Sequence, residues 1–373
     1  MMIMFVVDDI DAVGGVQTVT HTLAQHLARR GHPVHVVGLY TNPAPAPAPE
    51  QPLYRRTVLD APAPGSPPDP ARNAVAKRRM RRLLAATGAG VLVMASVHVS
   101  LWLDDLDTSR WGRVGHYHGS YEYARGHYHL GIICALWAGF DACVFLSPDD
   151  AAGFAAHTAL PATWIPNPLP DHATAAATRP ATPPRVLAVG RLTAIKRFDL
   201  AIDAFARAAT ADWQLHLIGH GDQDRALRRH ADQHGLLAPR RGPEVVLRGG
   251  RPTAAMPAEY AAAHLLIVTS DHEGFGMVIA EAASAGIPTV AFDVSGGVRS
   301  LVRHDRTGLL VPPGDTTGLT RAIRALMLDG DRCRALGHAA RAAVHVLNPH
   351  AVTDRWEQLL THVAERVAHE VAS

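Results

Sequence analysis

Lysine is almost missing from this chain of 373 residues: of 36 basic side chains only Lys77 and Lys196 are lysines. The Ala, Arg and Pro richness reflects a G+C-rich coding sequence, so each lysine is worth following. Cysteine is as scarce. Cys134, Cys143 and Cys333 form neither a Cys-x-x-Cys pair nor an even set, which excludes a disulfide framework and fits a reducing cytoplasm. No apolar run approaches the ~20 residues of a bilayer span, and the chain opens on a strand-like run rather than a signal peptide. Net charge is only +2, and no basic stretch interleaved with stacking aromatics accompanies it, so nucleic acid is not an expected partner. What is present is a globular composition, 47% hydrophobic and 19% charged. The length, about twice that of a usual domain, predicts two of them.

Met2–Val7 is a continuous apolar run of the kind a parallel strand covered on both faces requires. It leads through Asp8, Asp9 and the pair Gly14-Gly15 into an amphipathic pattern over 16–30, and then to a strand over 34–39. This is a right-handed βαβ unit. Gly14-Gly15 is not the full G-x-G-x-x-G fingerprint, so the pair is either a tight turn or a loop that reaches toward phosphates and an acceptor, with Gln17 behind it. Residues 42–70 read as an extended Pro/Ala excursion with a strand over 53–59. A helix over 71–86 carries Lys77-Arg-Arg-Met-Arg-Arg82. A solvated face is the favoured reading, and a weak peripheral contact with anionic lipid or a phosphate-bearing acceptor the sharper one.

Strands are expected over 91–95, 112–117 and 141–146, the last followed by Ser147 as a helix cap. Between them, residues 116–129 hold four histidines and four tyrosines, too polar and aromatic for a core loop. No helical His-x3-His pair with a nearby carboxylate emerges there to suggest a metal. Flat amphipathic groups such as Tyr117, Tyr121 and Tyr123 suit carbohydrate better. Residues 171–184 read as a low-complexity linker. The second half begins with a strand over 185–190 ending in glycine, then Arg191-Leu-Thr-Ala-Ile-Lys196 before an amphipathic helix over 200–209. Strand and helix alternate onward, with Gly219-His-Gly221 closing one strand and able to line a nucleotide site.

The stretch Asp271-His-Glu-Gly-Phe-Gly-Met-Val-Ile-Ala-Glu281 is the most informative. It follows the buried-strand run 264–270 and opens an apolar helix that Gly286 and Pro288 stop. A strand turning through glycines into a helix presents unpaired N–H groups and a positive dipole end, a seat for an anion. Glu273 lies before the helix and Glu281 about two turns in. Carboxylates beside phosphate repel it, so they point to hydroxyl groups seeking an acceptor: sugar on one side of a diphosphate, ribose on the other.

Glu-x7-Glu enclosing Gly-Phe-Gly resembles the signature of the retaining family-4 glycosyltransferases. So do Gly190-Arg191-Leu192 with Lys196, His118-Gly119, the run 163–168 and the run 307–315. The resemblance implies an α/β fold of the GT-B type: two Rossmann-like doubly wound domains facing across a cleft, with a last helix crossing back to the first. The domains would be 1–168 for the acceptor, joined by 349–373, and 185–348 for the donor, with 169–184 between. It implies a catalytic set of His118, Arg191, Lys196 and Glu273. Gly15, Gly190, Gly219, Phe275, Gly276, Met277, Val278 and Glu281 would hold the nucleotide and diphosphate with Arg191 and Lys196. Gly14, Gln17, Tyr117, Tyr121 and Tyr123 would lie toward the acceptor. At Ser295-Gly-Gly-Val298 the sequence departs from the family, whose usual acid near Ser300 is absent.

The expected reaction moves a hexosyl or N-acetylhexosaminyl group from a nucleoside-diphosphate sugar, a UDP-sugar first and GDP-mannose second, to a hydroxyl on a small natural product, glycolipid or wall polymer. No metal or other cofactor is expected. Arg191 and Lys196 neutralise the leaving diphosphate, and Asp-x-Asp occurs four times without the right context. A UDP-sugar epimerase of the same architecture is the main alternative, and a non-catalytic nucleotide-sugar binder the third reading.

Overall fold

A computed structural model describes residues 1–373 apart from 44–50, 158, 175–180, 211, 239–241 and 373. Most of the Pro-Ala run and the middle of the expected linker therefore lie outside the described residues. The chain divides into two compact units, Met1–Pro170 with Leu347–Ser373, and Asp171–Val346.

The first unit runs β1 (Met2–Val7), α1 (Gly15–Arg29), β2 (Val34–Gly38), β3 (Arg55–Val58), α2 (Pro70–Thr87), β4 (Gly90–Met94), α3 (Val97–Leu103), β5 (Trp111–His116), α4 (Tyr121–Arg125), α5 (His129–Leu136), β6 (Ala142–Phe145), α6 (Pro148–Ala155) and β7 (Ala162–Trp164). The seven strands are parallel in the order β3-β2-β1-β4-β5-β6-β7. Ile3 to Val7 are all buried, as a central strand covered on both faces must be.

The second unit runs β8 (Arg185–Val189), α7 (Phe198–Ala208), β9 (Gln214–Ile218), α8 (Asp224–Gln233), β10 (Glu244–Gly249), α9 (Met256–Ala261), β11 (Leu265–Val268), α10 (Met277–Ser284), β12 (Thr289–Phe292), α11 (Gly296–Leu301), β13 (Gly308–Val311), α12 (Thr316–Leu328) and α13 (Gly330–Ala343). Its six strands are parallel in the order β10-β9-β8-β11-β12-β13. Both sheets reverse winding beside their first strand, which makes the carboxyl ends of β1/β4 and of β8/β11 the switch points where such folds bind ligands.

The last helix, α14 (Pro349–Ala372), packs on α1, β4 and β5 of the first unit. Trp356 is buried edge-on against Phe5 and His116, with ring centroids 6.4 and 4.8 Å away. Removing an indole so enclosed costs about 3–5 kcal/mol. Gly112 permits the approach: a Cβ there would lie 2.3 Å from Val363 Cγ1. Glu357 ties the helix to Arg30 and His32, each at 2.6 Å.

Three expectations need correction. The strand expected over 53–59 is only Arg55–Val58, and Leu53 is exposed. Lys77 is not on a solvated face. It is buried over the Trp102 ring and pairs with Asp105, while Arg78, Arg79, Arg81 and Arg82 remain exposed. Residues 116–129 are no open loop either. Tyr117 is buried in the core beside Trp137 and Phe154, and its hydroxyl meets His129 Nδ1 at 2.9 Å. An aromatic ring whose hydroxyl finds a partner is good core material, so polarity at its tip did not keep it outside.

Candidate active site

In the second unit the switch point is built from two loops. β8 ends at Gly190, whose N–H donates to Ile218 O at 3.0 Å. The chain then makes a short 3-10 turn, Ala194–Lys196, held against the end of β11. Thr269 Oγ1 donates to Lys196 O at 2.9 Å, and the Asp271 N–H donates to Ile195 O, also at 2.9 Å. Lys196 thereby lays its stem over Gly190, 3.7 Å from where a Cβ would be. Its ammonium donates to Glu273 Oε2 at 2.6 Å, and Ser270 Oγ donates to the same oxygen at 3.2 Å. Both partners are mostly covered. Arg197, next along, adopts φ 48° and pairs with Asp199 and Asp271. Arg191 is exposed.

Gly219 and Gly221 are required by close approach. A Cβ on Gly219 would lie 1.8 Å from Gly190 O, and one on Gly221 2.1 Å from Leu192 O. The β9 exit loop therefore backs the loop that carries Arg191 and Lys196.

Beyond Glu273 the chain turns through Gly276, at φ 86°, into α10. The N–H groups of the first turn, around Met277 and Val278, have no intrahelical acceptor and carry the positive dipole end. Phe275 is buried beneath this turn. Ser295 caps α11, and Gly297 sits 2.0 Å, measured from an added Cβ, from Gly274 O. Ser295-Gly-Gly-Val298, where the usual acid is missing, thus supports the Gly274–Phe275 loop by bringing a second helix start against it. Glu281 is the fifth residue of α10, a little over one turn in rather than two. It accepts from Tyr260 Oη at 2.7 Å, and burial pushes its carboxyl up to about 7 against the lowering effect of that hydrogen bond.

In the first unit, Gly14 is the extended cap of α1, and Gln17 folds back over it to donate from Nε2 to Asp9 O at 2.7 Å. Gly15 opens the helix. His118 follows β5 and lies against His116, with ring centroids 3.9 Å apart and planes tilted by 47°. Nε2 of each is buried without a hydrogen-bond partner among the described residues. Burial depresses His118 to about 3 and His116 well below the usual imidazole range, so both rings are neutral near pH 7. Asp150, pushed up to about 6 by burial, accepts from the Tyr121 N–H at 2.8 Å and from Ser147 Oγ, fixing the start of α4.

Against this geometry, the family model for glycosyl transferases group 1 matches residues 173–343, and that for glycosyltransferase family 4 matches residues 13–172. The chain belongs to the family 4 glycosyltransferases. An exopolysaccharide phosphotransferase of Streptomyces coelicolor is 36% identical over 198 residues, 49% of this chain and 20% of that protein. A GDP-mannose-dependent phosphatidylinositol monomannoside mannosyltransferase of Mycobacterium tuberculosis is 30% identical over 191 residues, 49% of this chain and 46% of that one. The chain thus matches less than half the length of either relative. The solved sucrose-phosphate synthase of Thermosynechococcus elongatus superposes with a TM-score of 0.81 at 22% identity, covering 97% of this chain and 99% of the other. That likeness establishes the GT-B fold for this family 4 chain.

Of the residues the sequence singled out, the structure brings together Lys196, Glu273, Gly190 and the α10 turn, with Gly219 packed behind. Tyr117 is withdrawn from the acceptor side into the core. Tyr121 packs on Phe154, and Tyr123 stacks on His127 at 4.8 Å. Tyr260 was missed. It lies 21 residues before Glu281 and on another helix, so spacing carries no trace of the contact; the only signal was a tyrosine within a short helix pattern beside the strand.

Proposed function

We propose that this family 4 glycosyltransferase moves a hexosyl or N-acetylhexosaminyl group from a nucleoside-diphosphate sugar to an acceptor hydroxyl, with retention and without a metal. The Lys196–Glu273 pair beside the free N-terminus of α10 carries this reading. A lysine held 2.6 Å from a glutamate at a helix start places a movable cation, a hydroxyl acceptor and fixed N–H donors around one point. When the anomeric bond breaks, the electron pair leaves with the diphosphate, where Lys196, Arg191 and the N–H groups of Met277 and Val278 stabilise it. The neutral His118 offers a ring nitrogen and no opposing charge to the electron-poor sugar ring. Glu273, released as Lys196 turns to the diphosphate, accepts from sugar hydroxyls, and no carboxylate attack on carbon is required. The acceptor oxygen then bonds to the anomeric carbon from the face the diphosphate leaves, and its hydroxyl proton passes to the departing diphosphate oxygen.

UDP-sugars are the first donor class. The identity to a GDP-mannose-dependent relative supports GDP-mannose as the second. The free thiols fit a reducing cytoplasm, and no described helix is long and apolar enough to cross a membrane. The exposed arginines of α2 are read as solvated surface; flotation with phosphatidylglycerol vesicles checks the alternative of peripheral contact.

The test is a panel of UDP-glucose, UDP-GlcNAc, UDP-galactose and GDP-mannose, scored by thermal shift and by turnover with and without EDTA. One donor should stabilise the protein and its transfer should survive chelation. Loss of transfer that Mg²⁺ or Mn²⁺ restores would overturn the two-cation scheme. Conversion of donor alone to an epimer would make the protein an epimerase.

A further inference from the structure

His230-x3-His234 has its carboxylate partner, Asp203, 27 residues earlier on another helix, beyond the reach of any local motif. Two imidazoles four residues apart share one helix face. His230 sits on α8 and His234 just past its end. Facing them from α7 is Asp203, and its Oδ1 accepts from both rings, at 2.7 Å from His230 Nε2 and 2.8 Å from His234 Nε2. The three ligand atoms all lie within 4.8 Å of one another. The rings stand nearly perpendicular, 83° between planes, so two nitrogens converge on one oxygen from different directions. Asp203 is largely covered and each ring about one-third exposed, 31% and 32%. The site is anchored and open to an entering ion.

We propose that Asp203, His230 and His234 form a binding site for a borderline divalent transition metal, with zinc the reference ion, that clips α7 to α8. Two imidazole nitrogens and a carboxylate oxygen are the donor set such ions take, and hard ions such as Mg²⁺ and Ca²⁺ are poorly served by it. Metal–ligand bonds of about 2.0–2.2 Å put neighbouring donors about 3–3.5 Å apart, so Asp203 need move only a few tenths of an ångström from its 2.7 and 2.8 Å contacts to admit an ion between it and the two rings. On binding, each ring shifts its proton from Nε2 to Nδ1 through solvent and gives its Nε2 lone pair to the metal. Water completes the shell. The cluster shares no residue with the Lys196–Glu273 site. Its two helices nevertheless start where that site's loops end: α7 follows Lys196 and Arg197 directly, and α8 follows Gly219–Gly221. A clip here would hold those two loops in register.

The test uses the full chain, stripped with chelator and dialysed, then titrated calorimetrically with ZnCl₂, with Mg²⁺ as control and Co²⁺ as a visible-absorption reporter. We expect one zinc per chain, a higher thermal midpoint with zinc than with EDTA, and no response to Mg²⁺. Asp203→Asn and His234→Gln should each weaken zinc binding at least tenfold while the circular dichroism of the metal-free protein stays unchanged. With 23 histidines in the chain, zinc could bind elsewhere. Unchanged stoichiometry and affinity in the His230→Gln/His234→Gln double variant would overturn the assignment, as would absence of stabilisation of the native chain by zinc. None of these readouts depends on sugar transfer, so their failure leaves the proposed function untouched.

Discussion

Lys196 is held in place by hydrogen bonds that Thr269 Oγ1 and the Asp271 N–H, just past β11, donate to its turn, and is charge-balanced by Glu273. Its value to the reaction lies in exchanging that partner for a diphosphate whose charge grows as the bond breaks. Lys196→Ala should therefore lower kcat by ~10²–10³ while changing donor affinity much less, as expected for a group that counts most in the transition state. An unchanged kcat in a folded variant would remove the lysine from the chemistry. Glu281 obeys a different balance. Its carboxyl, raised to about 7 by burial, binds a proton in the folded state over the range where an unfolded glutamate has lost it. Native protein therefore holds more protons between about pH 4.5 and 7, and this group's contribution to stability falls as pH rises through that window. Glu281→Gln should raise the unfolding midpoint at pH 8 and leave it nearly unchanged at pH 5. A charge-assisted hydrogen bond is worth roughly 1.5–3 kcal/mol. If Glu281 reads ribose, the same variant should weaken free UDP or GDP about tenfold or more at pH 8, measured by calorimetry. Glu273→Gln should leave free nucleoside diphosphate binding nearly intact and damage turnover of the sugar donor. Equal effects of both variants on the free diphosphate would end the division of labour between the two glutamates.

At the scale of elements, the site depends on one helix start leaning on another. Gly297 touches the Gly274–Phe275 backbone so closely that a methyl group there must displace it. Backbone, unlike a flexible side chain, cannot swing aside. Gly297→Ala should cut turnover more than tenfold with a thermal midpoint only modestly lowered; full activity would show that the loop position is unimportant. This contact marks where reading the sequence reached its limit. The β8 and β11 runs, the glycine turn and the Lys196 segment were legible because each is local: an apolar strand, a φ only glycine tolerates, a cation at fixed spacing. Short parallel strands such as β7, with three residues, and short helices such as α4, with five, carry too little periodicity to separate from loop. The Tyr260–Glu281 and Asp203–His230–His234 groupings are pure tertiary juxtapositions with no local signature. Tyr117 misled in the opposite sense: its neighbours are polar in sequence, while its own ring fills the core between β5 and α6.

For the whole molecule, the abundance of histidine sets the response to acid. Seven imidazoles, those of His21, His35, His116, His118, His129, His216 and His264, are depressed below their ordinary value, each chiefly by burial. Below about pH 6.5 the unfolded chain protonates these rings and the folded chain does not. The unfolded state then binds more protons, and stability falls with falling pH at up to ~1.4 kcal/mol per unit for each such ring. Glu281 and Asp150, raised to about 7 and about 6, act in the opposite direction, since the folded state holds their protons longer. Two groups do not offset seven, so the sign is set by the histidines. The carboxyls held low by arginine, lysine, imidazole or hydroxyl hydrogen-bond partners, Asp60, Asp105, Asp107, Asp203, Asp305 and Glu357, add their losses only nearer pH 4. Differential scanning fluorimetry from pH 8 to pH 4 should show a midpoint that is level near neutrality and falls increasingly steeply below pH 6.5. His118 lies against His116, which itself packs on Trp356 at the β5 exit, so His118→Asn should reduce the slope between pH 6 and 4 while turnover drops at every pH. A slope unaltered by that substitution would mean the His116–His118 pair takes its protons without unfolding, and the neutral ring assigned to the sugar side would have to be abandoned.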